Sequence, residues 1–415
     1  MKAFVGLLLA LFSASGAAQT ANLNSVLDVK NAVRGCATIA TGDGTTDDSL
    51  AFQCRANLLA STTNSGGVLH IPAGTYFFAH TVTIPTNVVV EGVGEASTIV
   101  QTRAYLGEMF KLSTGTTLKR VKFTQVQPTP GPGWAPYQDY AFQVAVVGSR
   151  VNIEDVMLLN PANGIRIQSD TCPSANGLGA VGQIYINNVR GQPLHQGIVI
   201  DCALDIIRIN DIHFWPFWSG DTSVLNFTKA ASFGIRSYRN DNPFFSQIFT
   251  YGYYTGIEFG KTPGNIQSIA TGYTSRPRIN GFDCDSCATG IRISADYTNG
   301  VLVNKMQFCA TSPYAYAALT ITANHVSASV SQLDATNAAN NIIYVDGDYN
   351  YVLVSDSFFR EWNVSGIGFP AVQTTNGTNT KVQISNTFYG NSHGAPFSTG
   401  NVTTNYVTAS PGIFP

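Results

Sequence analysis

The four residues Gly164-Ile165-Arg166-Ile167 recur along this chain, and their recurrence restricts the fold more than any other feature. The same Gly-Ile-x-aliphatic pattern reads Gly197-Ile198-Val199-Ile200, Gly256-Ile257-Glu258-Phe259 and Gly290-Ile291-Arg292-Ile293, with a weaker copy at Gly234-Ile235-Arg236-Ser237. The glycines at 164, 197, 234, 256 and 290 lie 33, 37, 22 and 34 residues apart. Self-similarity at roughly 20–50 residues marks a solenoid.

Within each copy large apolar residues flank a variable one, which is the period of a strand with one buried face. A strand this short cannot bury that face alone. Parallel stacking at about 4.8 Å buries the isoleucines in a column and leaves the variable position in an outward row. That row reads Arg166, Val199, Arg236, Glu258, Arg292, and two positions on it reads Gln168, Asp201, Tyr238, Gly260, Ser294. This ladder is the expected place for chemistry or ligand binding.

Charged residues make up only 12% of the 415, as suits short strands and many turns. A formal net charge of -2 argues against a general nucleic-acid binder, which needs clustered Lys and Arg. Residues 1–18 read as a secretory signal, with Lys2, an apolar run from Val5 to Phe12, and Gly16 and Ala18 spaced for cleavage. That run is too short to span a bilayer and no second one follows, so the expected location is extracellular or periplasmic, with no membrane partner. Residues 19–415 show no linker or composition break. They are expected to form one domain, with a cap and first coils at 41–100, regular coils at 148–348, and last coils and tail at 355–415.

Seven cysteines fit an oxidising destination. Cys172 and Cys202 follow the first two Gly-Ile strands, one coil apart, within disulfide reach. Cys36 and Cys54 are a second candidate pair, and Cys309 a third through Cys284 or Cys287, with one thiol left over. Cys284-x-x-Cys287 lacks a second ligand pair at finger spacing. Arginines stand where a calcium-binding carboxylate cluster would be needed. Neither a metal nor another cofactor is expected.

Near the N-terminus, Gly42-Asp43-Gly44-Thr45-Thr46-Asp47-Asp48 precedes Ser49-Leu50-Ala51-Phe52-Gln53, a helix of one or two turns for which Thr46, Asp47 or Asp48 is a cap. Gly66-Gly67-Val68-Leu69-His70-Ile71-Pro72-Ala73-Gly74-Thr75-Tyr76 then alternates like a strand and turns, as does Val88 to Gly94. These runs resemble the opening of pectate-lyase-like right-handed parallel β-helices, the rhamnogalacturonase and epimerase-like group also found in phage tailspikes. The resemblance is close over residues 41–100. It implies an all-β, single-stranded right-handed parallel β-helix of roughly ten coils with a short N-terminal capping helix. It also implies structural roles for Asp43, Asp47 and Asp48, and carbohydrate as the substrate class. Lyases, hydrolases, epimerases and non-catalytic binders share this scaffold, so function must come from the site. The polygalacturonase branch carries Asn-Thr-Asp and Arg-Ile-Lys, both absent here; Leu194-His195-Gln196-Gly197 is a partial echo of its Gly-His-Gly.

On the ladder, the forks of Arg166, Arg236 and Arg292 suit carboxylates or sulfates of an acidic polysaccharide; the alternative is that Arg236, Glu258 and Arg292 pair among themselves as a surface network. Hydrolysis needs two carboxyl groups in opposite protonation states; Asp201 and Glu258 are the expected catalytic pair, with Asp170, Asp205 and Asp296 in reserve. β-Elimination needs a base, for which His195, His213 and Lys261 are candidates, and positive charge beside the enolate. The run His213-Phe214-Trp215-Pro216-Phe217-Trp218 is expected to form a saccharide-stacking wall through His213, Trp215 and Trp218, with Phe214 and Phe217 inward. Trp134 and Tyr137, in the proline-rich stretch from Pro128, would extend it. The expected function is a secreted glycoside hydrolase acting on an acidic polysaccharide. A polysaccharide lyase and a non-catalytic carbohydrate-binding protein are the alternatives. The polar outer faces carry no oligomerisation signal in either direction.

Overall fold

The computed structural model describes residues 26–408 except 64–65, 102–104, 133, 135–137, 172–179, 263–271, 311–315, 376, 391–393 and 399–401. The expected signal segment lies outside the described residues. The Gly-Ile copies fall where the repeat places them: Asn163–Ile167, Gln196–Ile200, Phe233–Ser237, Thr255–Phe259 and Thr289–Ile293 are consecutive strands of one parallel, 11-stranded sheet. Ile165, Ile198, Ile235, Ile257 and Ile291 stand in register, followed by Leu319 and Ile343, all essentially inaccessible to water. Stacking each strand on the next removes apolar area that no single coil can hide.

The second sheet has longer strands, such as Val181–Gly191 and Ala203–Phe214, and 19 members. Asp155, Asn188, Asp211 and Gln247 take left-handed backbone angles at equivalent positions in neighbouring strands. Each such residue bends its strand, so this one sheet wraps two sides of the core and the short strands close the third. The result is a right-handed parallel β-helix.

Close stacking explains why each copy begins with glycine. A Cβ on Gly164 would lie 2.5 Å from the carbonyl oxygen of Gly197, and one on Gly234 would lie 2.7 Å from that of Gly256. Ser237, the polar member of the inward column, is buried and satisfied by hydroxyl and amide donors from Thr274 and Asn240.

The N-terminal end is closed by helix α1, Ser49–Thr63, longer than the one or two turns expected. The Asp47 carboxylate accepts from the Ser49 N–H, while Asp48 accepts from the N–H groups of Thr41 and Gly42 and Asp43 from those of Thr45 and Thr46. These acids tie turns together. Phe52 packs edge-on against Tyr76 and Phe78 of the first coils. Beyond Gln53 the helix continues because Arg55, fully buried, donates to the carbonyls of Asp28, Asn31, Thr38 and Ala51.

Cys36 and Cys54 are bonded across a separation of 18 residues. Breaking this bond with Cys36→Ser and Cys54→Ser is expected to destabilise the cap by about 3 kcal/mol, the loop-closure value for this length. A lower denaturation midpoint at unchanged spectroscopic fold would register it. Cys202 is disulfide-bonded; its expected partner, Cys172, lies outside the described residues. The third pairing is corrected: Cys284 bonds Cys287 and Cys309 is free. In register, Cys309 faces Asp285 and Cys284 faces Phe308. Alternation along the strand therefore sends Cys284 inward and Cys309 to the opposite face.

Candidate functional site

The outward row on the short-strand sheet runs Lys111, Ala145, Arg166, Val199, Arg236, Glu258, Arg292, Thr320, Tyr344. Arg166, Arg236, Glu258 and Arg292 thus share one face. Their charges are largely spent on ion pairs, Arg236 and Arg292 with Glu258 and Arg166 with acids outside the row. Arg166 donates to Glu108 at 2.9 Å and to Asp170 at 3.3 Å. Arg236 donates to Glu258 Oε2 at 2.7 Å and lies over the Phe233 ring. Ser294 donates to Glu258 Oε1 at 3.0 Å, and Arg292 Nε approaches that oxygen at 3.8 Å. Glu258 is 5% exposed, with both oxygens engaged. It clamps three consecutive strands rather than presenting a free carboxylate.

Asp201 ends the strand Gln196–Ile200 and is 3% exposed. Its Oδ1 accepts from the N–H groups of Cys202 and Arg239 and from the Thr262 hydroxyl. Burial outweighs these bonds and raises its pKa above the ordinary 3.8. With Arg166, Gln168, Val199, Tyr238 and Thr262 it lines a groove of about 270 Å³. Burial, opposed by Arg236 and aided by the charges of Glu258 and Asp201, raises the pKa of the Tyr238 phenol. Asp170 has the opposite environment: Lys111 at 2.7 Å and Arg166 keep its pKa below 3.8.

His195 lies in the turn before the same strand; burial, with Arg236 adding to it against Asp139, lowers its pKa. Lys261 is exposed, next to Thr262. Asp205 accepts from Gln183, and Asp296 from Asn324 of the next coil; neither lines the groove.

The aromatic run is placed differently from expectation. His213 is on the long-strand sheet, in register with Arg190 and Phe249. Trp215 packs 4.5 Å from Tyr251, and Phe217 lies 5.2 Å from His213. Trp215 and Phe217 are 40% and 38% exposed, whereas Phe214 is buried. The long strand carries these rings past the bend before the chain turns, so they join the outer face of the other sheet. The Trp218 backbone N–H donates to Gln192 Oε1. Between this turn and the next short strand sits helix α2, Thr222–Ala231, which the repeat did not reveal; Asp221 followed by Ser223 is its capping signal. Trp134 packs on Phe227 of this helix; Tyr137 lies outside the described residues.

A second groove of about 350 Å³ borders Arg292, with Tyr254, Tyr316, Thr320, Tyr344 and Phe369 in its lining. Neither Tyr316 nor Tyr344 was singled out by sequence; the signal was the continuation of the outward row to Thr320 and Tyr344. Among the described residues no group of three or more His, Cys, Asp or Glu is placed to hold a metal, and no helix is long and apolar enough to cross a membrane.

Fold and site together define a pectate-lyase-like parallel β-helix protein with a polar, grooved short-strand face. The sequence model of the family described as rhamnogalacturonase A/epimerase, pectate lyase-like, matches residues 39–262, and the chain belongs to that family. Compared with curated proteins by sequence, it has no significant match. Among solved structures it is similar to the A-module of a mannuronan C-5 epimerase from Azotobacter vinelandii, at 12% identity and TM-score 0.56 over 88% of this chain and 98% of that one. It is also similar to a mutant tailspike protein of an Escherichia coli bacteriophage in complex with a pentasaccharide, at 10% identity and TM-score 0.60 over 89% and 67%. A surface protein and adhesin of Streptococcus pneumoniae matches at 14% identity and TM-score 0.53 over 91% and 96%. At these identities the likeness is one of fold.

Proposed function

We propose that the protein is a secreted enzyme that hydrolyses glycosidic bonds of an acidic polysaccharide on its short-strand face. The observation that carries this reading is Asp201: a buried carboxyl of raised pKa lining a groove beside Arg166 and Tyr238. Asp201 protonates the leaving oxygen as general acid. Asp170, kept ionised by Lys111 and Arg166, is the opposite member of the pair and activates water. Glu258 acts through Arg236 and Arg292, which it orients, and the arginine row meets the substrate's acidic groups. Disulfides in the structure support the extracellular or periplasmic location.

Elimination has one observation in its favour. His195, biased to its neutral form by burial and by Arg236, suits a base with an arginine nearby to stabilise an enolate. A reducing-end assay against a panel of acidic and neutral polysaccharides, read in parallel for the ultraviolet absorbance of unsaturated uronates, separates the two. New reducing ends without that absorbance are expected. Absorbance would establish elimination, and glycan retention with no cleavage would establish a binding protein. Exhaustive chelation is expected to leave the rate unchanged; loss of activity restored by calcium would refute a metal-independent mechanism.

A further inference from the structure

The three arginines of the outward row differ in how well they are neutralised. Arg166 has Glu108 at 2.8 Å and Asp170 at 3.3 Å. Arg236 has Glu258 at 2.7 Å. Among the described residues Arg292 has only the far approach to that same carboxylate, 3.8 Å, so one negative charge serves two guanidinium groups. The under-neutralised member is also the one that borders the 350 Å³ groove. Its floor is built from three adjacent strands through Arg292, Thr320 and Tyr344. One wall comes from residues that lead into the short strands, among them Tyr254 and Tyr316, whose rings meet edge-on at 6.5 Å. Tyr316 is half exposed. A concave site with aromatic walls and one incompletely paired cation suits a pyranose ring carrying a carboxylate.

We propose that this groove is a subsite for an anionic sugar unit, distinct from the Asp201 groove and filled only by long substrates. The inference rests on the reading of the short-strand face as the site for an acidic polysaccharide. From the strand that ends at Asp201, Thr320 is the fourth strand on, a span of about 19 Å at the usual spacing, or roughly four pyranose units of an extended chain. A glycan that reaches both grooves runs along the solenoid axis and passes Arg236 and Arg292.

The test is calorimetric titration of the full-length protein with galacturonate oligomers of increasing length, beside Tyr344→Ala and Arg292→Gln. Affinity is expected to rise about tenfold when the oligomer becomes long enough to enter the second groove, and each substitution is expected to remove that step; Tyr344→Ala, which lies outside the arginine row, is expected to leave short-oligomer affinity unchanged. Should Tyr344→Ala fail to fold, Arg292→Gln carries the test, because Glu258 keeps Arg236 as its partner. A smooth length dependence in the parent protein, a step that survives both substitutions, or no binding at any length overturns the proposal. Reducing-end release is measured on the same oligomers. Cleavage without the affinity step removes the subsite and leaves the hydrolase reading. The step without cleavage leaves the subsite and removes that reading.

Discussion

Asp201→Asn is expected to lower the rate of glycosidic cleavage by about 10²–10⁴-fold, the contribution of a positioned general acid. The substitution is close to isosteric, and the amide oxygen can accept the bonds that Oδ1 now takes from Cys202, Arg239 and Thr262. What disappears is the proton. In the parent protein the rate is expected to follow a bell. It falls as pH rises through the Asp201 value, which burial places above 3.8, and falls again below the Asp170 value, which Lys111 and Arg166 place under 3.8. A general-base histidine would give the reverse on the alkaline side, with a rate that climbs and then stays level.

On the Asp201→Asn substitution, stability moves in the opposite direction from activity. A carboxyl whose folded pKa is raised contributes most below its unfolded value, and that contribution is lost as pH rises through the folded value. Asn carries no such dependence, so the variant is expected to be at least as stable as the parent at neutral pH, with an advantage that shrinks on acidification. Denaturant midpoints at two pH values measure this. An Asp201→Asn protein that keeps full activity would remove the general acid, whatever its stability.

Gly197→Ala is expected to destabilise the protein by about 3–4 kcal/mol, at the high end for one added methyl group. The new Cβ would stand 2.3 Å from the Gly234 carbonyl oxygen and 2.4 Å from the Phe214 ring. The first contact is backbone of the next coil and cannot rotate away. The second is a fully buried ring with no space to retreat into. Relief requires the strand Gln196–Ile200 to lift from Phe233–Ser237, with loss of parallel hydrogen bonds on which the Asp201 groove also depends. An alanine at exposed Gly220, where nothing lies within 4 Å, is the control and is expected to change stability little. Equal midpoints for the two variants would show that stacking does not set the glycine requirement.

The column of isoleucines and the outward row were legible because both follow from local rules. Side chains alternate along a strand, and parallel strands in a solenoid stack at equivalent repeat positions. The copies therefore specify which residues are neighbours across coils. The same rules placed Arg236, Glu258 and Arg292 together and left open whether they meet a ligand or pair among themselves; the structure shows them paired, an outcome that depends on rotamers and burial. The aromatic run around Trp215 shows a second kind of failure. Its composition suggested a sugar-stacking surface, but which face it reached depended on where the long strand bends and on the insertion of α2.

By itself the sequence determined a stacked parallel coil, its buried column, its outward row and the acids that tie the first turns, because each depends on spacing along the chain. Only the tertiary structure decided that Cys284 meets Cys287, that Glu258 is a clamp, that Asp201 is buried beside a groove, and that Arg292 opens onto a second one. Those outcomes depend on distances between coils and on how much water each group loses on stacking, which no local pattern encodes.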